Sequence, residues 1–195
     1  MKTAALALKR VCASRANYVL SFVLDVATAA IAIGFGISGA HEPAYALLTF
    51  MAGAFIFTFI EYGTHRWLFH APASFAAASH HAHHFSPHHP SAMPFICGPL
   101  GGALIWLATT ALLGNESGVL LTAGTMSAYL YYGVLHDLQH RIRANALPAG
   151  PMPGRWMKGR WRDHAIHHGR LNRNYGVTTS LWDRVFGTYS STRCA

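Results

Sequence analysis

At 195 residues the chain is long enough for one domain, and a second independent core would be hard to fit. Hydrophobic residues make up 52% and charged residues only 11%, which excludes an ordinary soluble domain and points to the membrane. A formal charge of +8 would suit nucleic acid if the cations formed an aromatic-interleaved stripe on a soluble face, but their placement argues against that partner.

Residues 1–17 are expected to form a cytosolic N-terminal segment. Its start, MKTAALALKRVCASRA, has the basic and small-apolar flavour of a cleavable signal. Lys9, Arg10 and Arg15 interrupt it, however, and a full-length apolar span follows, so a retained span is the expectation. Four apolar stretches, at about 18–37, 44–63, 95–114 and 118–136, each supply the roughly 20 helical residues that cross about 30 Å of hydrocarbon. The links GAHEPA and NES are very short, so the spans should pair as two helical hairpins. The predicted fold is an all-α integral membrane protein, a single domain over 18–195 with four transmembrane helices and a histidine-rich cap from 64–94 and 137–195.

All fifteen Lys and Arg lie before the first span, at Arg66, or after the fourth span, and neither link carries one. The positive-inside rule therefore places both termini and the cap in the cytoplasm. The charge then reads as topology, helped by attraction to anionic head groups. Within the spans, Asp25 is read as a packing contact or a functional carboxylate. Glu61 lies one turn before His65 and is positioned to orient that imidazole through its second nitrogen. Cys12, Cys97 and Cys194 have no paired spacing and are read as free thiols.

Ten of the fourteen histidines fall into four groups: His65 and His70 in HRWLFH; His80, His83 and His84 in HHAHH; His136 and His140 in HDLQH; His164, His167 and His168 in HAIHH. Positions i, i+3 and i+4 share a helix face, so each triplet and the HDLQH pair can aim at one point. His65 and His70, five apart on a helix continuing to Phe69 before Pro72, would stand about 140° apart and serve two different ions. His81, His88 and His89 fall outside the register. Imidazole leaves iron, zinc and copper open. So many nitrogens without cysteine suggest two redox-active irons rather than structural zinc, which four ligands normally enclose.

The four groups, interleaved with two hairpins, resemble the fatty acid hydroxylase/sterol desaturase superfamily of membrane di-iron oxygenases over roughly residues 55–190. IEYGTHRWLFH is similar to the first box of the fatty acid 2-hydroxylases and HHAHHFSP to the second box of the superfamily. The most specific element, HAIHHGRLNRNYGVTTSLWDRVFGT, joins the last box to a closing NYGV…WD…FGT signature. The resemblance implies that all ten box histidines hold two iron ions, with zinc able to replace iron in purified protein. Glu61, Asp137 and Asp183 are carboxylates that could orient ligand imidazoles, and Asp183, with Gly176 and Trp182, could fold a cap under the last box through a backbone amide.

The Pro- and Gly-rich stretch between His140 and His164 departs from the 2-hydroxylases, and with the HDLQH box it resembles the carotenoid ring hydroxylases instead. The implied activity is dioxygen-dependent hydroxylation or desaturation of an unactivated C–H bond in a bilayer lipid. Carotenoid ring hydroxylation is the alternative, and a metal-binding or transport protein a distant one. No dinucleotide fingerprint, CxxC cluster or haem domain is legible, so electrons must come from an external donor such as a ferredoxin or small haem protein with its reductase. Arg155, Lys158, Arg160 and Arg162 could dock such a carrier or meet lipid head groups. Trp67, Phe69, Tyr131 and Tyr132 could line a substrate tunnel or form an interfacial aromatic belt.

Overall fold

The computed structural model describes residues 10–71, 75–86, 93–143 and 154–192. Pro72, His88, His89 and Cys194 lie outside them. Every regular element among the described residues is helical. The helices are α1 (Arg15–Gly39), α2 (Pro43–Gly63), a π-helical turn (Thr64–Phe69), α3 (Phe75–Phe85), α4 (Cys97–Leu113), α5 (Asn115–Arg143), α6 (Arg155–Gly169) and α7 (Leu181–Val185). Three segments, Arg15–Gly39, Pro43–Phe69 and Asn115–Arg141, are long and apolar enough to cross a membrane, while α4 is a shorter apolar helix of 17 residues. The chain divides into two compact units, Met1–Phe57 with Pro90–Leu130, and Thr58–His89 with Tyr131–Ala195.

In the first unit α1 starts at Ser14, whose hydroxyl accepts the Asn17 N–H at 3.1 Å and so caps an otherwise orphaned donor. The Asn17 side chain then ties down the entry to α4: its amide donates to the Met93 carbonyl at 3.0 Å and its oxygen accepts the Phe95 N–H at 2.9 Å. Asp25 is buried on α1, and a Cβ on Gly98 of α4 would lie 1.8 Å from its carboxylate oxygen, so glycine is what lets the two helices meet. α2 and α5 approach just as closely. A Cβ on Gly53 would stand 2.2 Å from the Leu121 carbonyl, and one on Gly124 would stand 1.9 Å from that of Phe50. Small residues permit this backbone approach where apolar burial alone does not drive helices together in lipid.

The predicted hairpin links are as tight as their sequences suggest. Gly114, at φ 85°, turns α4 into α5. At the other link His41 donates its backbone N–H to Glu116 at 3.0 Å, and the Tyr45 hydroxyl lies 2.6 Å from that of Ser117. The outward faces carry large apolar side chains such as Phe35, Leu48 and Leu112, a composition suited to lipid.

The second unit holds the end of α2, the π turn, α3, the end of α5, α6 and α7. Its core is Tyr62, Leu135, Ile166, His167, Val177 and Asp183, each almost wholly buried. Phe186 stacks on Tyr62 with centroids 5.3 Å apart, and the Trp182 indole N–H donates to the Thr58 hydroxyl at 2.8 Å. These contacts fasten the closing segment to the end of α2.

Candidate metal centre

The second unit gathers nine of the ten box histidines into two groups whose ring nitrogens lie within 4.8 Å of one another: His65, His70, His80, His84 and His167 in one, and His83, His140, His164 and His168 in the other. His136 borders the second group, its Nε2 3.3 Å from that of His140 and its ring centroid 4.8 Å from those of His83 and His164. His81 is exposed and belongs to neither group.

Two expectations are corrected by this geometry. His65 and His70 share one group instead of dividing between two, because Thr64–Phe69 winds as a π-helix. An i→i+5 turn brings residues five apart to the same side, whereas α winding would separate them. Nor does each triplet aim at one point. His80 and His84, four apart, face the first group while His83 faces the second; His164 and His168 face the second while His167 faces the first. The i,i+4 pairs stay together and the residue between them crosses over.

The nitrogen spacing is that of ligands on an ion. Within the first group His80 Nε2 lies 2.9 Å from both His65 Nε2 and His84 Nε2, and His70 Nε2 lies 3.2 Å from His167 Nε2. In the second, His164 Nε2 lies 3.1 Å from His140 Nε2 and 3.2 Å from His168 Nε2. Two imidazoles bound at about 2.0–2.1 Å with ordinary coordination angles stand about 2.9–3.4 Å apart. The protonation state fits as well. Burial, reinforced by neighbouring imidazoles, lowers His70 to about 4 and His83 and His84 to about 3, and holds His80, His164 and His167 well below the ordinary imidazole value. All six are therefore neutral at physiological pH, the form that ligates. The buried His83 Nε2 has no protein hydrogen-bond partner. The residues present thus fit two nitrogen-ligated transition-metal ions.

The outer contacts differ from those anticipated. His65 Nδ1 meets the Tyr175 carbonyl at 2.5 Å, and His167 Nδ1 meets the Arg173 carbonyl at 2.7 Å. Glu61 does not take the place expected beside His65; it accepts the Val177 N–H at 2.5 Å, the Thr178 N–H at 3.1 Å and the Thr178 hydroxyl. Asp137 pairs with Arg141 at 2.6 Å on a partly exposed face. Asp183 accepts the Tyr175 and Gly176 N–H groups at 2.9 and 2.8 Å, the backbone-amide alternative anticipated for it.

Asn174 escaped the sequence reading. It adopts φ 52°, a left-handed conformation asparagine tolerates, donates through its side-chain amide to the Asp163 and Ser190 carbonyls, and accepts the Ser190 N–H. The only signal for it was its place in NYGV. Of the four basic residues picked for docking, Arg160 turns inward to pair with Asp163, while Arg155, Lys158 and Arg162 are exposed. Among the aromatics, Phe69 stacks on His80 and Tyr132 on His136, whereas Trp67 and Tyr131 face outward.

The fatty acid hydroxylase family model matches residues 50–188, the span that holds every one of these histidines. The chain belongs to that family. Among its relatives, a dihydroceramide fatty acyl 2-hydroxylase of Arabidopsis thaliana, FAH1, is 31% identical over 72% of this chain and 60% of its own length. The ceramide very long chain fatty acid hydroxylase SCS7 of Saccharomyces cerevisiae is 30% identical over 74% of this chain and 38% of its own. A solved structure titled full-length scs7p, with only the hydroxylase domain visible, superposes with a TM-score of 0.73 at 26% identity, covering 91% of this chain and 69% of that one. The chain thus spans 60% and 38% of the lengths of these two curated relatives. With three helices of spanning length and apolarity, this family member is an integral membrane protein.

Proposed function

We propose that the protein is a membrane-bound di-iron hydroxylase that converts an unactivated C–H bond of an acyl lipid to an alcohol with dioxygen. The observation that carries this is the pair of imidazole groups, each with its ring nitrogens gathered within 4.8 Å, in a chain of the fatty acid hydroxylase family. His65, His70, His80, His84 and His167 would hold one ion, and His83, His140, His164 and His168 with the bordering His136 the other. Two irons there would supply the redox chemistry that activates dioxygen. The chain's own work would be to hold the imidazoles aimed, to exclude bulk water, and to admit an apolar substrate past the rings of Phe69 and Tyr132. Overall, one C–H bond, one dioxygen, two electrons and two protons give one alcohol and one water.

The relatives' names favour an acyl lipid over a carotenoid and hydroxylation over desaturation. The electrons would come from a ferredoxin or small haem protein with its reductase, docking on Arg155, Lys158 and Arg162. In the proposed topology α4, about 26 Å long, is the fourth span, and both termini and the histidine groups are cytoplasmic. The test is membranes containing iron-loaded protein, supplied with a reductase and carrier under ¹⁸O₂. One ¹⁸O atom per hydroxylated lipid is expected; no oxygen-dependent product from acyl lipids would overturn the reading.

A further inference from the structure

Four consecutive backbone amides, Tyr175 to Thr178, donate to two buried carboxylates that come from opposite ends of the unit's sequence. Asp183 takes the first two, at 2.9 and 2.8 Å, and Glu61 takes the second two, at 2.5 and 3.1 Å. Each carboxylate is fixed by a hydroxyl as well: Thr188 donates to Asp183 at 2.7 Å, and Thr178 donates to Glu61. The stretch so gripped cannot be widened, since a Cβ on Gly176 would stand 2.0 Å from the Thr179 carbonyl and 3.0 Å from the Asp183 carboxylate. It carries the Tyr175 carbonyl that meets His65 Nδ1, and the Arg173 carbonyl two residues earlier meets His167 Nδ1. Both imidazoles belong to the five-histidine group, where His84 Nδ1 has no hydrogen-bond partner; in the other group His164 Nδ1 has none either, and no carbonyl of the gripped stretch reaches it.

We infer that Glu61 and Asp183 are positioning residues for the ion of the five-histidine group alone. By holding amides 175–178 they fix two carbonyls that select the Nδ1–H tautomers of His65 and His167 and leave both Nε2 lone pairs on the ion. The inference rests on the two-ion reading above.

Its test is metal content, read independently of turnover. The full chain is loaded with iron or zinc and challenged with chelator, and the ions retained per chain are counted beside His84→Ala and His164→Ala as references for loss from each group. Glu61→Gln and Asp183→Asn turn an acceptor into an N–H donor facing backbone amides, and are expected to release one ion about 10–100-fold faster while the other stays at the wild-type rate. Thr188→Val and Thr178→Val each remove one supporting hydroxyl, should show the same selectivity in weaker form, and carry the test if the carboxylate variants do not fold by circular dichroism. Two ions released at wild-type rates, or both released faster together, would overturn the inference. A wild-type protein that holds fewer than two ions would instead sink the two-ion reading itself.

Discussion

His83 and His84 are neighbours in the chain, yet their rings serve different groups. Replacing His84 with alanine should therefore weaken one ion and replacing His83 the other, and metal counts on the double variant should approach zero where each single variant keeps about one. If both single variants lost the same ion, as judged by cobalt spectra, the division would be wrong. Protonation offers a second check. His70, His83 and His84 sit at about 4, 3 and 3 in the folded protein, against 6.5 for a free imidazole, because burial disfavours the cation. Their folded values are depressed, so below about 6.5 the unfolded chain binds more protons than the folded one. The metal-free protein should hold its full stability above pH 6.5 and lose it progressively towards pH 4, measured by thermal unfolding in detergent. A flat or rising profile over that window would contradict the burial of the rings. The gathering of the box histidines was legible in the sequence because their spacing within each box is local. Their partition was not, because it depends on which side of α3 and α6 each group gathers, and that is set by long-range packing. The carbonyls of Arg173 and Tyr175 left no side-chain signature at all.

At the scale of elements, hydropathy located α1, α2, α4 and α5 to within a few residues, except that α5 runs well past its apolar stretch to Arg143. The hydrophobic run marks only the part that needs lipid, whereas the extension carries His140 on backbone hydrogen bonds and packing. The π turn was illegible for a different reason. Nothing in THRWLF disfavours α winding, so the extra residue per turn, which brings His65 and His70 into one group, left no local signal. Close helix approach makes a sharper prediction. Gly124→Leu places a side chain where the Phe50 carbonyl already stands 1.9 Å from a Cβ, and should cost at least about 1–3 kcal/mol, read as a lowered unfolding temperature. The same change at Gly34, with nothing within 4 Å of its Cβ, should be nearly neutral.

For the whole molecule, charge placement proposes an orientation that no single residue carries. Tags at both ends should be cytoplasmic, and a cysteine introduced at Asn115 should react with impermeant reagents only from the opposite side. Labelling of Asn115→Cys from the cytoplasm would rule out the four-span arrangement.

The crossing-over of the helical triplets bears on how the protein is made. The first group needs His65 and His167 and the second needs His83 and His168, so each spans almost the whole interval between the first box and the last. At about 5–20 residues per second, the roughly 80 residues between His84 and His164 take about 4–16 s to synthesise, during which the first group lacks only His167 while the second holds only His83 until the end of α5 is made. On the proposed two-iron reading, loading of the second group would wait until α6 has emerged and folded back, whereas four rings of the first would be in place earlier, so a cell short of iron would accumulate chains loaded in order of synthesis.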